Sequence, residues 1–353
     1  MGTKIKLGLT CISEQLKLKD KAKYSFRTMT RKRFNDLCVK DGRDEALQQL
    51  SERILHNVIT TENILFHCSN SDIGHYRLSS NLFPLITDPT LEISVSDLPN
   101  SDRIISQLKH LKPSRHNISI SIHPDQFNVL ASKNEEAVTK TIEELNFQAW
   151  IMDTMGLPQD HTAPMNIHIN YTPKMDESLE IVADRFFNNL FMCDSGVFKR
   201  LTIENEDKGF FNVDNCLKFS EYLFDQYEYN LPVCYDNLHD FCNPSQTINV
   251  AFQAERCAYT WVNTNKPHSD HCEHISDFHA PVFHWSEGRP DKPRAHADYF
   301  ALGHFPPYIA VDPDRPAIWE CEVKLKDIAI QKLVEAMELN SPKNILDYEE
   351  QLV

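Results

Sequence analysis

Three histidines, two glutamates and one aspartate end six successive β-branched runs of this 353-residue sequence, and those positions suggest chemistry. In Ile118-Ser119-Ile120-Ser121-Ile122-His123 the isoleucines take one face of an extended strand, and Ser119, Ser121 and His123 take the other. The same alternation sets His168 with Asn166 and Asn170, Glu204 with Thr202, His284 with Val282, and Glu322 with Glu320. Asp236 closes the run that begins at Pro232, and His239 follows three residues on. One such residue alone reads as a satisfied core or solvated side chain; six in series point to a common cause. Imidazoles and carboxylates gathered in one place bind borderline divalent ions such as Mn²⁺ or Zn²⁺. Several carboxylates left unpaired there would repel one another, so cations are the natural compensation.

Residues at strand ends converge only if the strands are parallel neighbours. Eight runs read as strands: Lys4–Thr10, His75–Ser79, Ile118–His123, Met165–Asn170, Leu201–Glu204, Val233–Asp236, Pro281–His284 and Ile318–Glu322. Helical apolar spacing fills Glu45–Leu65, Glu135–Met155, Met175–Met192, Val213–Phe224 and Lys326–Met337. The alternation favours a single parallel α/β domain over 1–353. Strand number and length predict a (β/α)₈ TIM barrel, whose active sites form where strand C-termini meet. A doubly wound open sheet shares this periodicity and stands as the alternative. No internal repeat or low-complexity segment interrupts the pattern.

Bulk composition, 41% hydrophobic and 25% charged, is that of a folded soluble protein. No run approaches the roughly 20 apolar residues of a membrane helix, and the N-terminus lacks a signal peptide's apolar core. The expectation is a cytoplasmic protein with no membrane partner. Ten scattered cysteines without a Cys-x-x-Cys read as reduced thiols. Acidic residues outnumber basic ones 51 to 36, and the net charge of −15 taken alone argues against nucleic-acid binding. The charge is unevenly placed, however. Positions 17–40 hold nine basic and two acidic residues, a segment of +7 that leaves −22 for the rest, together with Tyr24, Phe26 and Phe34. This stretch reads either as a solvated helix and loop or as a phosphate-contacting segment at the barrel rim.

Motifs along the chain resemble those of the UV damage endonucleases, metal-dependent DNA repair enzymes with an endonuclease IV-like, xylose isomerase-like barrel. They are His75-Tyr76-Arg77-Leu78-Ser79-Ser80 through Leu82-Phe83-Pro84, His123-Pro124-Asp125-Gln126-Phe127, Ile167-His168 and Ile203-Glu204-Asn205-Glu206-Asp207. Asp236-Asn237-Leu238-His239 with Asn243-Pro244, Phe283-His284, Arg294-Ala295-His296-Ala297-Asp298 and Glu322-Val323-Lys324-Leu325-Lys326-Asp327 complete the series. The resemblance runs from Ile5 to about Leu333. It implies hydrolysis of the phosphodiester immediately 5′ to a UV photoproduct, a cyclobutane pyrimidine dimer or a 6-4 photoproduct, in double-stranded DNA. It also implies a monomeric enzyme with two or three divalent metal ions, Mn²⁺ before Zn²⁺ or Mg²⁺. By the same resemblance His123, His168, Glu204, Asp236, His239, His284, His296 and Glu322 are ligands, with Glu204 bridging two ions. Glu204, His123, His239 and Glu322 then form the catalytic set. Gln126 and Phe127 match the Gln-Tyr pair that enters the duplex opposite the lesion. Arg27, Arg77, Ser13 and Leu9 take further DNA-side positions.

The sequence departs from that pattern at several points. Val282 stands where relatives carry a lysine that can be carboxylated and join the metal site. Asp88, in Thr87-Asp88-Pro89, replaces a histidine and is expected to ligate through oxygen. Leu9 and Ser13 replace a Tyr and an Asn of the first loop, and Phe127 keeps an aromatic face without the hydroxyl. Glu320 shares a face with Glu322, but the Glu322-x-Lys324-x-Lys326 spacing selects Glu322. His268, His271, Cys272, His274 and His279 crowd an insertion around 262–280 that meets no standard zinc spacing and reads as a surface loop.

Two rival functions share these residues. One is a xylose isomerase-like sugar isomerase or epimerase; the other, prompted by Val282, is a lesion-binding protein with weakened catalysis. The +7 segment and His123-Pro124-Asp125-Gln126-Phe127 favour the nuclease, and the net −15 then predicts modest affinity for undamaged DNA.

Overall fold

The computed structural model describes residues 5–125, 128–246, 249–262 and 278–339. Gln126, Phe127, His268, His271, Cys272 and His274 lie outside the described residues. The expected runs form eight parallel strands: β1 (Lys6–Thr10), β2 (His75–Leu78), β3 (Ser119–Ile122), β4 (Met165–His168), β5 (Leu201–Glu204), β6 (Val233–Cys234), β7 (Val282–Ser286) and, last in the chain, β10 (Ile318–Glu322). Their order is β6-β5-β4-β3-β2-β1-β10-β7. The two ends meet: Asp236 bridges His284 in parallel, and the His284 N–H donates to the Tyr235 carbonyl at 2.8 Å. The sheet therefore closes into a TIM barrel, not a doubly wound open sheet. An antiparallel hairpin of β8 (Gly288–Arg289) and β9 (Lys292–His296) follows β7; sequence periodicity did not anticipate it.

Helices α1 (Glu14–Lys19), α2 (Lys21–Tyr24), α3 (Arg31–Asp41) and α4 (Arg43–Ser69) connect β1 to β2. The remaining helices are α5 (Ser101–Leu111), α6 (Glu135–Thr154), α7 (Leu179–Leu190), α8 (Ser195–Phe198), α9 (Val213–Tyr227), α10 (Asn237–Cys242), α11 (Val250–Ala258) and α12 (Lys326–Leu339). None of the described helices is long and apolar enough to cross a membrane.

Strand alternation sorts the two faces. Leu7, Leu9, Tyr76, Leu78, Ile120, Ile122, Phe283 and Trp319 join the apolar core between strands and helices. The inward face is polar. A register row runs Ser119–His75–Gly8–Glu320–His284 across five neighbouring strands. Glycine is required at its centre, because a Cβ at Gly8 would lie 2.9 Å from His75 Cδ2 and 3.4 Å from the Glu320 Cα.

The basic segment is held by its backbone. Asn57, fully buried on α4, accepts from the Arg27 N–H at 2.7 Å and donates to the Arg27, Asn81 and Leu82 carbonyls. His56 Nε2 lies 2.9 Å from the Ser25 carbonyl, and Thr60 donates to that of Lys23. The side chains of Lys19, Lys21, Arg27, Lys32 and Arg33 are left exposed and make no ion pair with a described residue. The segment leaves the C-terminal end of β1, so it stands at the mouth of the barrel.

The register row makes a direct prediction. Gly8→Ala should push His75 against Glu320 and destabilise the fold by about 1–3 kcal/mol in urea unfolding. Parent-like stability would mean that the row tolerates a methyl group.

Candidate metal centre

β5 ends in Glu204, whose side chain is 1% exposed and forms the floor of the mouth. One carboxylate oxygen, Oε2, lies 3.0 Å from His123 Nε2, 3.7 Å from His168 Nε2 and 2.7 Å from its donor Asn166 Nδ2. The other, Oε1, lies 2.9 Å from His239 Nδ1 and 3.1 Å from His284 Nδ1. The imidazoles of His123, His168 and His239 are 15–18% exposed, so they stand as a rim above the floor.

Asp236 lies just beyond the two-residue β6, where the ladder has run out, and two asparagine side chains replace it. Asn205 accepts the Asp236 N–H at 2.8 Å and donates to its carbonyl at 3.0 Å. Asn237 does the same for Ser286, accepting at 2.7 Å and donating at 3.0 Å. The Asp236 carboxylate caps α10 through the His239 N–H and accepts the Ser286 hydroxyl, both at 2.7 Å. It is thereby fixed beside His284 Nδ1, 3.8 Å away.

Beneath the rim, Glu320 accepts from Ser121 and lies 3.0 Å from His75 Nε2, 3.3 Å from His284 Nε2 and 3.1 Å from Arg77 Nη1. Arg77 also pairs with Glu322, which lies 3.7 Å from His284 Nδ1 and 3.6 Å from His296 Nε2.

Four carboxylates, Glu204, Asp236, Glu320 and Glu322, thus meet one permanent cation, Arg77. Burial by itself would raise the Glu204 carboxyl, but His284 and His168, with hydrogen bonds from His123 and His239, hold it well below the usual carboxylate range. Burial depresses His239, yet Asp236 and Glu204 outweigh it and hold this imidazole well above its ordinary range. Burial pushes His168 down to about 4, so it presents a lone pair at neutral pH. Glu206, two residues past the floor, is pushed up to about 7 by burial and by the charge of Glu204, against the Asn170 N–H it accepts.

This donor set fits divalent cations. His123 Nδ1 donates to the Pro124 carbonyl at 2.9 Å, so its Nε2 faces an ionised carboxylate and needs a proton or a cation between them. His168 Nδ1, His284 Nδ1 and His296 Nδ1 are buried without a hydrogen-bond partner; the His284 atom is close to Glu204 but off the hydrogen-bonding line. His123, His168 and Glu204 place three ligand atoms within 4.8 Å of one another. So do Glu204, Asp236 and His239, and so do Asp236, His284 and Glu322. Cys234 shares a fourth group with Glu204 and His284, but burial pushes its thiol up to about 12. To ligate, that thiol would have to give up its proton to the ion.

Four expected site residues lie elsewhere. Asp88 gives one oxygen to Arg31 at 2.6 Å and the other to the backbone and hydroxyl of Thr90; its loop has its own use for the carboxylate. Leu9 is fully buried with Leu7 on the helix-facing side of β1. Ser13 is buried too, capping α1 at the Leu16 N–H and donating to Asp327. Arg77 is committed to two carboxylates inside the barrel. None of these four belongs to a group of ligand atoms among the described residues. His296 contacts only the edge of the centre, through Glu322. Val282 faces inward below His284 and brings no polar atom. Asn166, Asn205, Asn237, Ser286, His75 and Glu320 were given no role in the sequence reading. Asn166 shares the inward face with His168, a signal that alternation already carried.

Arg77 offers a discriminating test. Arg77→Met should cost about 3–5 kcal/mol of stability by stranding two buried carboxylates, while the salt dependence of DNA binding stays unchanged. A fall in that slope with stability intact would return Arg77 to the DNA side.

Comparison with known proteins agrees with the geometry. The sequence model of the family described as UV-endonuclease UvdE matches residues 5–351. The chain is 29% identical over 263 residues to a UV DNA damage endonuclease of Nostoc sp., covering 73% of each protein. It is 27% identical over 319 residues to one of Bacillus cereus, covering 88% of this chain and 89% of the relative. The crystal structure of SacUVDE superposes with a TM-score of 0.72 at 24% identity, covering 95% of this chain and 98% of that one, and shares the fold. With a family match across nearly its whole length, the chain belongs to the UvdE family of UV-endonucleases.

Proposed function

We propose that this protein is a metal-dependent, monomeric DNA repair endonuclease that cuts double-stranded DNA immediately 5′ to UV photoproducts, leaving 3′-hydroxyl and 5′-phosphate ends. The observation that carries this reading is the Glu204 floor ringed by imidazoles at the open end of the barrel, together with a basic segment leaving β1 in which Lys19, Lys21, Arg27, Lys32 and Arg33 make no ion pair with a described residue. A polyanion suits that juxtaposition better than a small neutral sugar does. His123, His168 and Glu204 would hold one divalent ion, and Glu204, Asp236 and His239 a second. Asp236, His284 and Glu322 account for a third. The mixed imidazole and carboxylate set favours Mn²⁺. Such ions, when bound, supply Lewis acidity that makes water nucleophilic near neutral pH and stabilises charge on the phosphoryl and leaving oxygens.

The protein's own groups divide the remaining work. Glu204 offers one oxygen to each side of the centre, and Asn166 fixes the rotation of its carboxylate. Arg77 neutralises Glu320 and Glu322 from below, without entering the mouth. Lys19, Lys21, Arg27, Lys32 and Arg33 engage backbone phosphates, which gives affinity without sequence readout. Gln126 and Phe127 carry the wedge role that the resemblance implies. A damaged step is already poorly stacked, so opening it costs less than opening normal DNA, and lesion selectivity follows.

A duplex oligonucleotide with one cyclobutane dimer tests the proposal. Nicking 5′ to the dimer should appear with Mn²⁺ and vanish with chelator; folded protein that never cuts would refute it. Glu204→Gln should reduce cleavage at least 100-fold while dimer binding persists, and retained cleavage would remove Glu204 from the bridging position. Arg27→Ala with Arg33→Ala should weaken damaged and undamaged duplex alike and lower the salt slope by about one per lost phosphate contact. An unchanged slope would place the DNA elsewhere.

A further inference from the structure

A second pair of histidines lies at the opposite end of the barrel. His161 precedes β4 by four residues and His279 precedes β7 by three. Both are buried, 5% and 4% exposed, so His279 is not the surface-loop residue its sequence context suggested. Their ring centroids are 5.8 Å apart at 81°. His161 Nε2 and His279 Nδ1 are each buried without a hydrogen-bond partner. Both residues line one cavity of about 160 Å³, together with Asp160, Lys199, Glu228 and Tyr229.

Hydrogen bonds and ring contacts frame the pair. The His279 N–H donates to the Trp261 carbonyl at 2.8 Å, and Val262 bridges Phe278 antiparallel. The Trp261 ring lies 6.2 Å from that of His161 and donates through its indole to the Val233 carbonyl. Asp160 is folded back by Thr162, whose backbone N–H and hydroxyl both donate to Oδ1.

We propose that His161 and His279 form a second metal site, for a borderline divalent ion of the zinc type, with water completing the shell. Two imidazoles on one tetrahedral ion, with metal–nitrogen bonds of about 2.0–2.1 Å, would have ring centroids roughly 5–6 Å apart, which is the spacing present. Two bare nitrogens on one small cavity are otherwise an uncompensated burial of polar atoms. Imidazole-dominated donors select Zn²⁺ over Mg²⁺ or Mn²⁺, in contrast to the carboxylate-rich mouth. Bound there, the ion would staple the α11–β7 connection to the α6–β4 connection beneath the barrel, leaving the mouth untouched.

The test uses the full chain, stripped with chelator and titrated with Zn²⁺. The parent should bind one more equivalent than the His161→Gln, His279→Gln double variant, and Co²⁺ substitution should show a tetrahedral absorption band that the variant loses in part. Cleavage supported by Mn²⁺ should stay within about twofold of the parent. Equal zinc content in parent and folded variant would overturn the proposal. If the variant does not fold, crystals of the parent soaked in Zn²⁺ decide the matter by anomalous scattering. A peak within bonding distance of both His161 Nε2 and His279 Nδ1 is expected. A water-like feature there, with zinc at the mouth, would overturn the site.

Discussion

An ionised carboxylate held out of water organises the mouth of this barrel. Glu204 is almost wholly buried, and a lone buried charge of that kind would protonate or unfold its surroundings. It stays ionised because four imidazoles and an amide reach its two oxygens. Those partners come from β4, β7, the turn after β3 and the first turn of α10. Only a closed parallel barrel sends such distant parts of a chain to one point. The fold and the chemistry therefore meet at this side chain, and the rim histidines owe their orientation to it.

Below the rim the barrel departs from the branched apolar filling usual for its class. Serines, a histidine, an arginine and Glu320 occupy the interior, and the apolar mass lies outside, between strands and helices. A buried polar network stabilises only when every member is satisfied. Ser119, Ser121 and His75 meet that demand around Glu320, and Arg77 meets it through Nη1 while its buried Nε has no partner. Gly8 supplies the room, since any side chain there would occupy the space of the His75 ring. The outer arm obeys a different rule: Asn57 grips its main chain, so Arg27 is positioned without an ion pair to a described residue.

Period-two alternation and parallel topology were enough to place His123, His168, Glu204, Asp236, His284 and Glu322 together from sequence. The same alternation puts Arg77 inward beside His75 and Leu9 outward beside Leu7. Their expected DNA-side roles come from the family resemblance, not from the strand pattern. The Asp88 carboxylate pairs with Arg31, 57 residues away, a contact that no local pattern encodes. Helix α5, which buries Ile104, Leu108 and Leu111, is not among the expected helices, and the hairpin carrying His296 has too few residues for any periodicity. His279 gave no hint of His161, because their meeting depends on how the loops at the closed end pack around Trp261.

The barrel closes on a single backbone bridge. β6 is two residues long, and past it the seam is held by the side-chain amides of Asn205 and Asn237 and by the bridge of Asp236 to His284. Asp236 and His284 also belong to the groups able to hold a cation. Occupancy of the centre and integrity of the cylinder are therefore one linked equilibrium, in which whatever tightens either stabilises the other. The energy that keeps the cylinder shut along that seam is thus partly held in the side chains that would bind a cation.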